Sequence, residues 1–199
     1  LHHRYRCPDP TPEFNFRKIC APLLQKIKKE KYQNIITFGI GGSYEGPKLL
    51  QEFLLNPASD INYSFISGPD KHEFNAIVKP LLGQKNLYIF ASKSLATEET
   101  LSCLKWLGKN RTDKNSIVIT ANSEGARALG FADSLIVPFP ESVGGRYSIW
   151  SPISLTASVE NNFMGFLQGG GLADSLISGS SLNAKKYQKL IKTLAFSDI

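Results

Sequence analysis

Five short apolar runs, spread between residues 34 and 140, constrain the fold of this chain more than any other feature. They are "NIITF" at 34–38, "INYSFIS" at 61–67, "NLYIFAS" at 86–92, "SIVITAN" at 116–122 and "SLIVPFP" at 134–140. Each is apolar for most of its length instead of alternating, and rich in β-branched and aromatic residues. That is the pattern of strands covered on both faces. Helix-compatible segments lie between them at 46–55, 71–82, 97–108 and 123–129. Strict alternation of this kind predicts a five-stranded parallel sheet with right-handed crossovers, an α/β three-layer sandwich. Ahead of it, 14–32 carries Ile19, Leu23, Leu24 and Ile27 at helical spacing. After Gly145 the strand signals stop, and 147–162, 163–176 and 182–195 are expected to be helices. The expected organisation is a helical lead-in at 1–33, an α/β domain at 34–144 and a helical extension at 145–199.

With 199 residues, 42% of them hydrophobic and 20% charged, ordinary values for a globular protein, the chain suits one domain with a real hydrophobic core, or one domain plus a tail. Its charge of +6 favours an anionic ligand. The basic residues are scattered, with "KIKKEK" at 26–31 as the dense run on a solvated helix face, so no nucleic-acid partner is expected. Three cysteines without a C-x-x-C favour neither a zinc site nor a disulfide framework, and point to a reducing, cytoplasmic setting. No apolar run approaches the roughly 18 residues of a membrane helix, and "LHHRYRCPDP" lacks the apolar core of a signal peptide. The sequence opens without Met, and is expected to be a piece of something longer.

Ligands of open α/β sheets bind at the carboxyl ends of the strands, and three loops there have informative chemistry. The first is Gly39-Ile40-Gly41-Gly42-Ser43, which precedes a helix as a phosphate-binding loop would. It breaks the dinucleotide fingerprint, because Tyr44 stands three residues after Gly41 and the next glycine is Gly46. It breaks the P-loop as well, because Pro47 and Lys48 follow Gly46. A tight turn that needs glycine for conformation alone is the plainer explanation of these glycines. The second loop, "ASKSLATEET" at 91–100, offers the hydroxyls of Ser92, Ser94 and Thr97 with the charge of Lys93. Thr97 could simply cap the helix that starts at Glu98, but a cap leaves the other three residues without a reason. Hydroxyls, a cation and a helix N-terminus together suit a phosphate monoester. The third loop, "ESVGGRYSIW" at 141–150, frees backbone N–H groups at Gly144-Gly145 and presents Arg146.

Together these loops resemble the glucose-6-phosphate isomerase family. Its G-I-G-G-S-x-x-G-P appears as "GIGGSYEGP", its S-K-T-F-T-T-x-E-T as "SKSLATEET" and its V-G-G-R-[FY]-S-L-W-S-A-I as "VGGRYSIWSPI". "LHHRYR" at the start is similar to the family's L-H-x-A-L-R, so the likeness runs from residue 1 to about 176. It implies a sugar isomerase (SIS) fold, flavodoxin-like in architecture. The implied reaction interconverts glucose 6-phosphate and fructose 6-phosphate through a cis-enediol, with no cofactor and no metal. Carried over by motif, Ser92, Lys93, Ser94 and Thr97 hold the sugar phosphate, while Gly42 and Ser43 lie beside the sugar. Gly145 and Arg146 face its reacting end, with Arg146 stabilising the enediolate.

The sequence also departs from the family's pattern. Leu95-Ala96 replaces Phe-Thr, Ser94 replaces threonine, Glu45 stands in an apolar position, and Pro152 replaces alanine. "FISGPDKHEF" reproduces the family's N-I-D-G-T-H poorly. Family enzymes are more than twice this length, and their second sugar isomerase domain carries the glutamate base, the ring-opening histidine and a further lysine. Their sites are completed across a homodimer. The resemblance therefore implies the phosphate half of a site, with Glu98, Glu99 and Glu160 poor substitutes for the missing base. A non-catalytic sugar-phosphate-binding module of the same fold is the alternative, and "VGGRYSIWS" argues against it. A nucleotide-dependent oxidoreductase fails on the glycine spacing, and on Ser67-Gly68 where an acidic residue should close the second strand.

Overall fold

The computed structural model describes residues 12–54, 56–160 and 163–177, without the side chains of residues 13, 146 and 147. The strands are β1 (Asn34–Phe38), β2 (Asn62–Ile66), β3 (Asn86–Ala91), β4 (Ser116–Thr120) and β5 (Ile136–Pro138). All pair in parallel, in the order β2-β1-β3-β4-β5. The helices are α1 (Phe16–Glu30), α2 (Glu45–Phe53), α3 (Lys71–Val78), α4 (Glu98–Leu107), α5 (Ser123–Ala128) and α6 (Phe163–Ile177). The chain moves from β1 outward to β2, then crosses back to β3 and onward to β5. Right-handed crossovers place connections running in opposite directions on opposite faces of the sheet. Side-chain packing agrees. Ile35, Leu87, Ile89, Ile117 and Ile119 join the core that holds Leu50 of α2 and Cys20, Leu23 and Ile27 of α1. Their chain neighbours Ile36, Tyr88, Phe90 and Val118 join the core that holds Phe74 of α3 and Leu107 of α4. The central strands are thus apolar throughout because each successive residue enters a different core.

Two expectations need correction. The segment 147–162 is not a continuous helix. It runs as short 3-10 turns at Gly145–Trp150, Pro152–Ser154 and Thr156–Ser158. Pro152 has no N–H to give to a helical ladder, and serine hydroxyls take carbonyls that a ladder would use. Ser151 Oγ donates to Ser148 O at 2.6 Å, Ser154 Oγ to Ile149 O at 2.8 Å and Ser158 Oγ to Leu155 O at 2.7 Å. Thr156 is pinned to the sheet by Thr37, with 2.7 Å between hydroxyl oxygens. Polar groups are therefore satisfied in a segment whose Ile153, Leu155 and Ala157 are fully buried. The run at 134–140 yields only three residues of strand, since Pro138 and Pro140 cannot donate to a ladder. The expected helix at 182–195 and the "LHHRYR" motif lie outside the described residues, as do residues 161 and 162.

Candidate functional site

The strands β1 and β3 are neighbours and end level with each other, Phe38 paired with Phe90. Their continuations part to opposite faces, one toward α2 and the other toward α4, and a crevice opens between them. The loops after β1 and β3, with the segment after β5, enclose a cleft of about 640 Å³. Gly42, Ser43, Ser92, Lys93, Ser94, Thr97 and Gly145 all line it. Arg146 has its backbone in the Gly145–Trp150 turn, and its side chain lies outside the described part of the structure.

The loop after β3 turns back on itself because Leu95 adopts the left-handed region, φ 52°, with its side chain buried among the α4-face residues. The turn brings Ser92 and Thr97 together, their hydroxyl oxygens 3.2 Å apart. Ser92 Oγ also accepts from the Leu95 N–H at 3.2 Å, and Ser94 Oγ accepts from the Ala96 N–H at 3.2 Å. Thr97 is not the helix cap that its position predicts. It sits at the N-cap of α4 but makes no side-chain capping bond. Its hydroxyl pairs with Ser92 at the cleft, so the first N–H groups of α4 are not taken by it. Lys93 lays its stem along the third loop. A Cβ placed on Gly144 would stand 3.3 Å from Lys93 Cδ and 3.5 Å from Nζ, so the ammonium lies beside the third loop.

The opposite wall is a contact between two glycines. A Cβ on Gly42 would lie 2.2 Å from the carbonyl oxygen of Gly145 and 2.5 Å from its carbon. No residue with a side chain fits at Gly42 without moving the third loop. Ser148 secures this contact, its hydroxyl 2.7 Å from Gly145 O and 3.3 Å from Gly42 O. Gly41 (φ 54°) and Gly145 (φ 64°) are left-handed, so turn conformation accounts for them, whereas close approach accounts for Gly42.

Sequence reasoning missed Asn122, Phe139, Glu141, Ser148 and Ile153, which also line the cleft. Asn122 and Glu141 carried a signal, since each follows a strand at the ligand edge. Ser148 did not, because its value depends on two glycines distant in the chain. Thiol chemistry is not available in the described part. Cys20 and Cys103 are buried, and burial raises both thiols, Cys103 to about 11 with the Glu73 carboxylate contributing. Among the described residues no group of three or more His, Cys, Asp and Glu could hold a metal ion.

Residues 24–191 match the family model described as phosphoglucose isomerase, a span that contains all three loops. The chain belongs to the phosphoglucose isomerase family. A glucose-6-phosphate isomerase from Zymomonas mobilis is 34% identical over 152 residues, 71% of this chain and 30% of the relative. One from Shewanella sediminis is 33% identical over 168 residues, 77% of this chain and 31% of the relative. The chain thus spans about 30% of the length of these curated relatives. The crystal structure of a glucose-6-phosphate isomerase from Chlamydia trachomatis superposes with a TM-score of 0.73 at 20% identity. It covers 89% of this chain and 38% of that one, a likeness that shows the shared fold. No helix among the described residues is long and apolar enough to cross a membrane.

Proposed function

We propose that this chain forms the phosphate-holding half of a glucose-6-phosphate isomerase active site. The observation that carries the proposal is the convergence of the Ser92 and Thr97 hydroxyls, 3.2 Å apart, beside the N-terminus of α4 in a cleft walled by Gly42 and Gly145. A phosphate monoester placed there accepts hydrogen bonds from hydroxyls and backbone N–H groups together, with the helix dipole favouring its charge. Lys93 supplies a point charge from beside Gly144, and Ser94 a third hydroxyl. The sugar then extends past Gly42 and Ser43 toward Gly145 and Arg146. Converting glucose 6-phosphate to fructose 6-phosphate removes the C2 proton, forms a cis-enediol(ate) and returns a proton to C1. C1 is reduced as C2 is oxidised, so no external redox partner is consumed. Arg146 is assigned to the negative charge that develops on the enediolate oxygen, where a fixed cation acts most strongly. The base and the ring-opening acid are assigned to residues beyond this chain. The whole enzyme is proposed to be a homodimer of the cytoplasm, serving glycolysis and gluconeogenesis. Residues 34–144 are its first sugar isomerase domain, with 1–33 leading into it and 145–199 leading out.

Titration of the 199-residue chain with fructose 6-phosphate, inorganic phosphate and unphosphorylated fructose, followed by amide chemical shifts, tests this. The two phosphate-bearing ligands should shift the 92–97 loop and fructose should not. No turnover of fructose 6-phosphate is expected, because a general base alone contributes about 10²–10⁴-fold. Equal shifts with fructose, or turnover above that of a mock preparation, would overturn the proposal.

A further inference from the structure

We infer that Asn122 is a positioning residue for the cleft, a clamp that sets the shape of the Ser92–Thr97 loop from the neighbouring strand. The inference rests on the phosphate reading of that loop but draws on different atoms. Three consecutive residues at the end of β4 donate to it. Thr120 Oγ1 donates to Lys93 O at 3.0 Å, the Ala121 N–H donates to the same oxygen at 3.0 Å, and Asn122 Nδ2 donates to Ser94 O at 3.0 Å. The side-chain amide of Asn122 can point only one way. Its Oδ1 accepts from the Gly125 N–H at 2.8 Å, where a backbone donor demands an oxygen, so Nδ2 is the atom left to meet the Ser94 carbonyl. The Asn122 N–H donates to Thr120 Oγ1 at 3.0 Å, which orients that hydroxyl proton toward Lys93 O and joins the three donors into one network.

Gly125 belongs to the device. A Cβ there would lie 2.5 Å from Asn122 Nδ2 and 2.9 Å from its Cγ. Gly125 has no left-handed conformation to explain it and sits inside α5, where glycine is less favourable than alanine by roughly 0.5–1 kcal/mol. Room for the Asn122 side chain is what glycine provides at this position. The clamp has a consequence for ligand binding. The Ser94 and Lys93 carbonyls are occupied by these donors, so the loop offers an anion its hydroxyls with these two acceptors already engaged.

The decisive variant is Asn122→Ser, which keeps an N-cap acceptor for Gly125 and removes only the donor to Ser94 O. In the 199-residue chain we expect the melting temperature to fall by no more than about 4 °C, the loss of one hydrogen bond. Exchange of the Leu95 and Ala96 amides should become about fivefold faster, and inorganic phosphate should bind about fivefold more weakly, the factor expected for one lost hydrogen bond. Gly125→Ala should reproduce both changes by displacing Asn122, although alanine is the better helix former. The double variant should be no worse than either alone. A residue that merely caps α5 predicts instead that Asn122→Ser behaves as wild type in exchange and in binding, and that result overturns the clamp. Should the unsubstituted chain bind neither inorganic phosphate nor fructose 6-phosphate, the reading of the cleft fails. The clamp is still judged by amide exchange, where unchanged rates in both variants refute it.

Discussion

Gly42→Ala separates close approach from turn conformation as the reason for a glycine-rich loop in this family. The φ of Gly42 lies outside the left-handed region, so alanine meets no backbone strain there. It meets the third loop instead, 2.2 Å from the Gly145 oxygen, where ordinary contact begins at 3.4 Å. Both sides of the contact are backbone, and no rotamer change relieves it. The third loop must retreat by about 1 Å and carries Ser148 with it, which stretches the 3.3 Å bond from Ser148 Oγ to Gly42 O beyond hydrogen-bonding reach. Overpacking of this kind costs about 1–3 kcal/mol, and for a chain of this length each kcal/mol lowers the melting temperature by about 2–4 °C. Thermal denaturation followed by circular dichroism should therefore show a fall of about 2–12 °C. In the whole enzyme the same retreat carries Arg146 with it, and a misplacement of about 1 Å costs on the order of 10²-fold in rate. Gly41 is the control. It has φ 54° and open space around its missing Cβ, so Gly41→Asn should be tolerated better than Gly41→Ala. At Gly42 the order reverses, because asparagine is larger. A Gly42→Ala protein that melts within about 0.5 kcal/mol of wild type refutes the close-approach argument, as does rescue of Gly42 by asparagine.

In the whole enzyme, Ser92→Ala should raise KM with little change in kcat, because the phosphate is remote from the proton transfer, whereas Arg146→Ala should mainly depress kcat by about 2.7–4 kcal/mol. Steady-state kinetics on the pair decide the assignment, and a fall in kcat at unchanged KM for Ser92→Ala would contradict it. Glu141 is the one carboxylate among the described residues lining the cleft, and Glu141→Gln should tighten inorganic phosphate by about twofold through relief of like-charge repulsion. Loss of isomerase activity in that variant of the whole enzyme would instead give Glu141 a part in proton transfer. Burial, with the Glu30 carboxylate adding to it, pushes Tyr32, which donates to the Lys114 carbonyl, up to about 12. Because the unfolded tyrosine ionises near 10, its contribution is complete below that pH and is lost as pH rises toward 12. Melting temperatures of Tyr32→Phe should therefore decline less steeply across that window than those of wild type.

The sheet was legible because burial on both faces leaves short runs rich in β-branched residues, as in "NIITF" and "SIVIT", and these alternate with helix-compatible segments. The segment after Gly145 misled for the same reason in reverse. A chain buried along its length shows apolar residues whatever its backbone does, and only Pro152 and the serines at 148, 151, 154 and 158 mark it as a string of turns. The lining of the candidate cleft was legible as residue types on loops at one edge of the sheet, which topology brings together. What held those residues was not legible. The bond between Asn122 and Ser94, and the contact between Gly42 and Gly145, join positions far apart in sequence, and neither residue differs in type from an ordinary cap or turn.

Leu95 shows how the β3–α4 loop is made rigid before any ligand arrives. A left-handed leucine costs about 1–2 kcal/mol, and a glycine there would avoid that cost. Leucine also buries its side chain, at 6% exposure, beneath the sheet edge, and burial of that size contributes about 1.5–3 kcal/mol. Burial therefore offsets the strain, and leucine is tolerated at this left-handed position. What it adds is an anchor below the turn, opposite the hydrogen bonds that Thr120, Ala121 and Asn122 make to the loop from the side. A glycine would leave the loop free to sample other shapes, which the proposed phosphate would have to restrict. Held from below and from the side, Ser92 and Thr97 are already 3.2 Å apart, so the proposed phosphate would spend little of its binding free energy on ordering them.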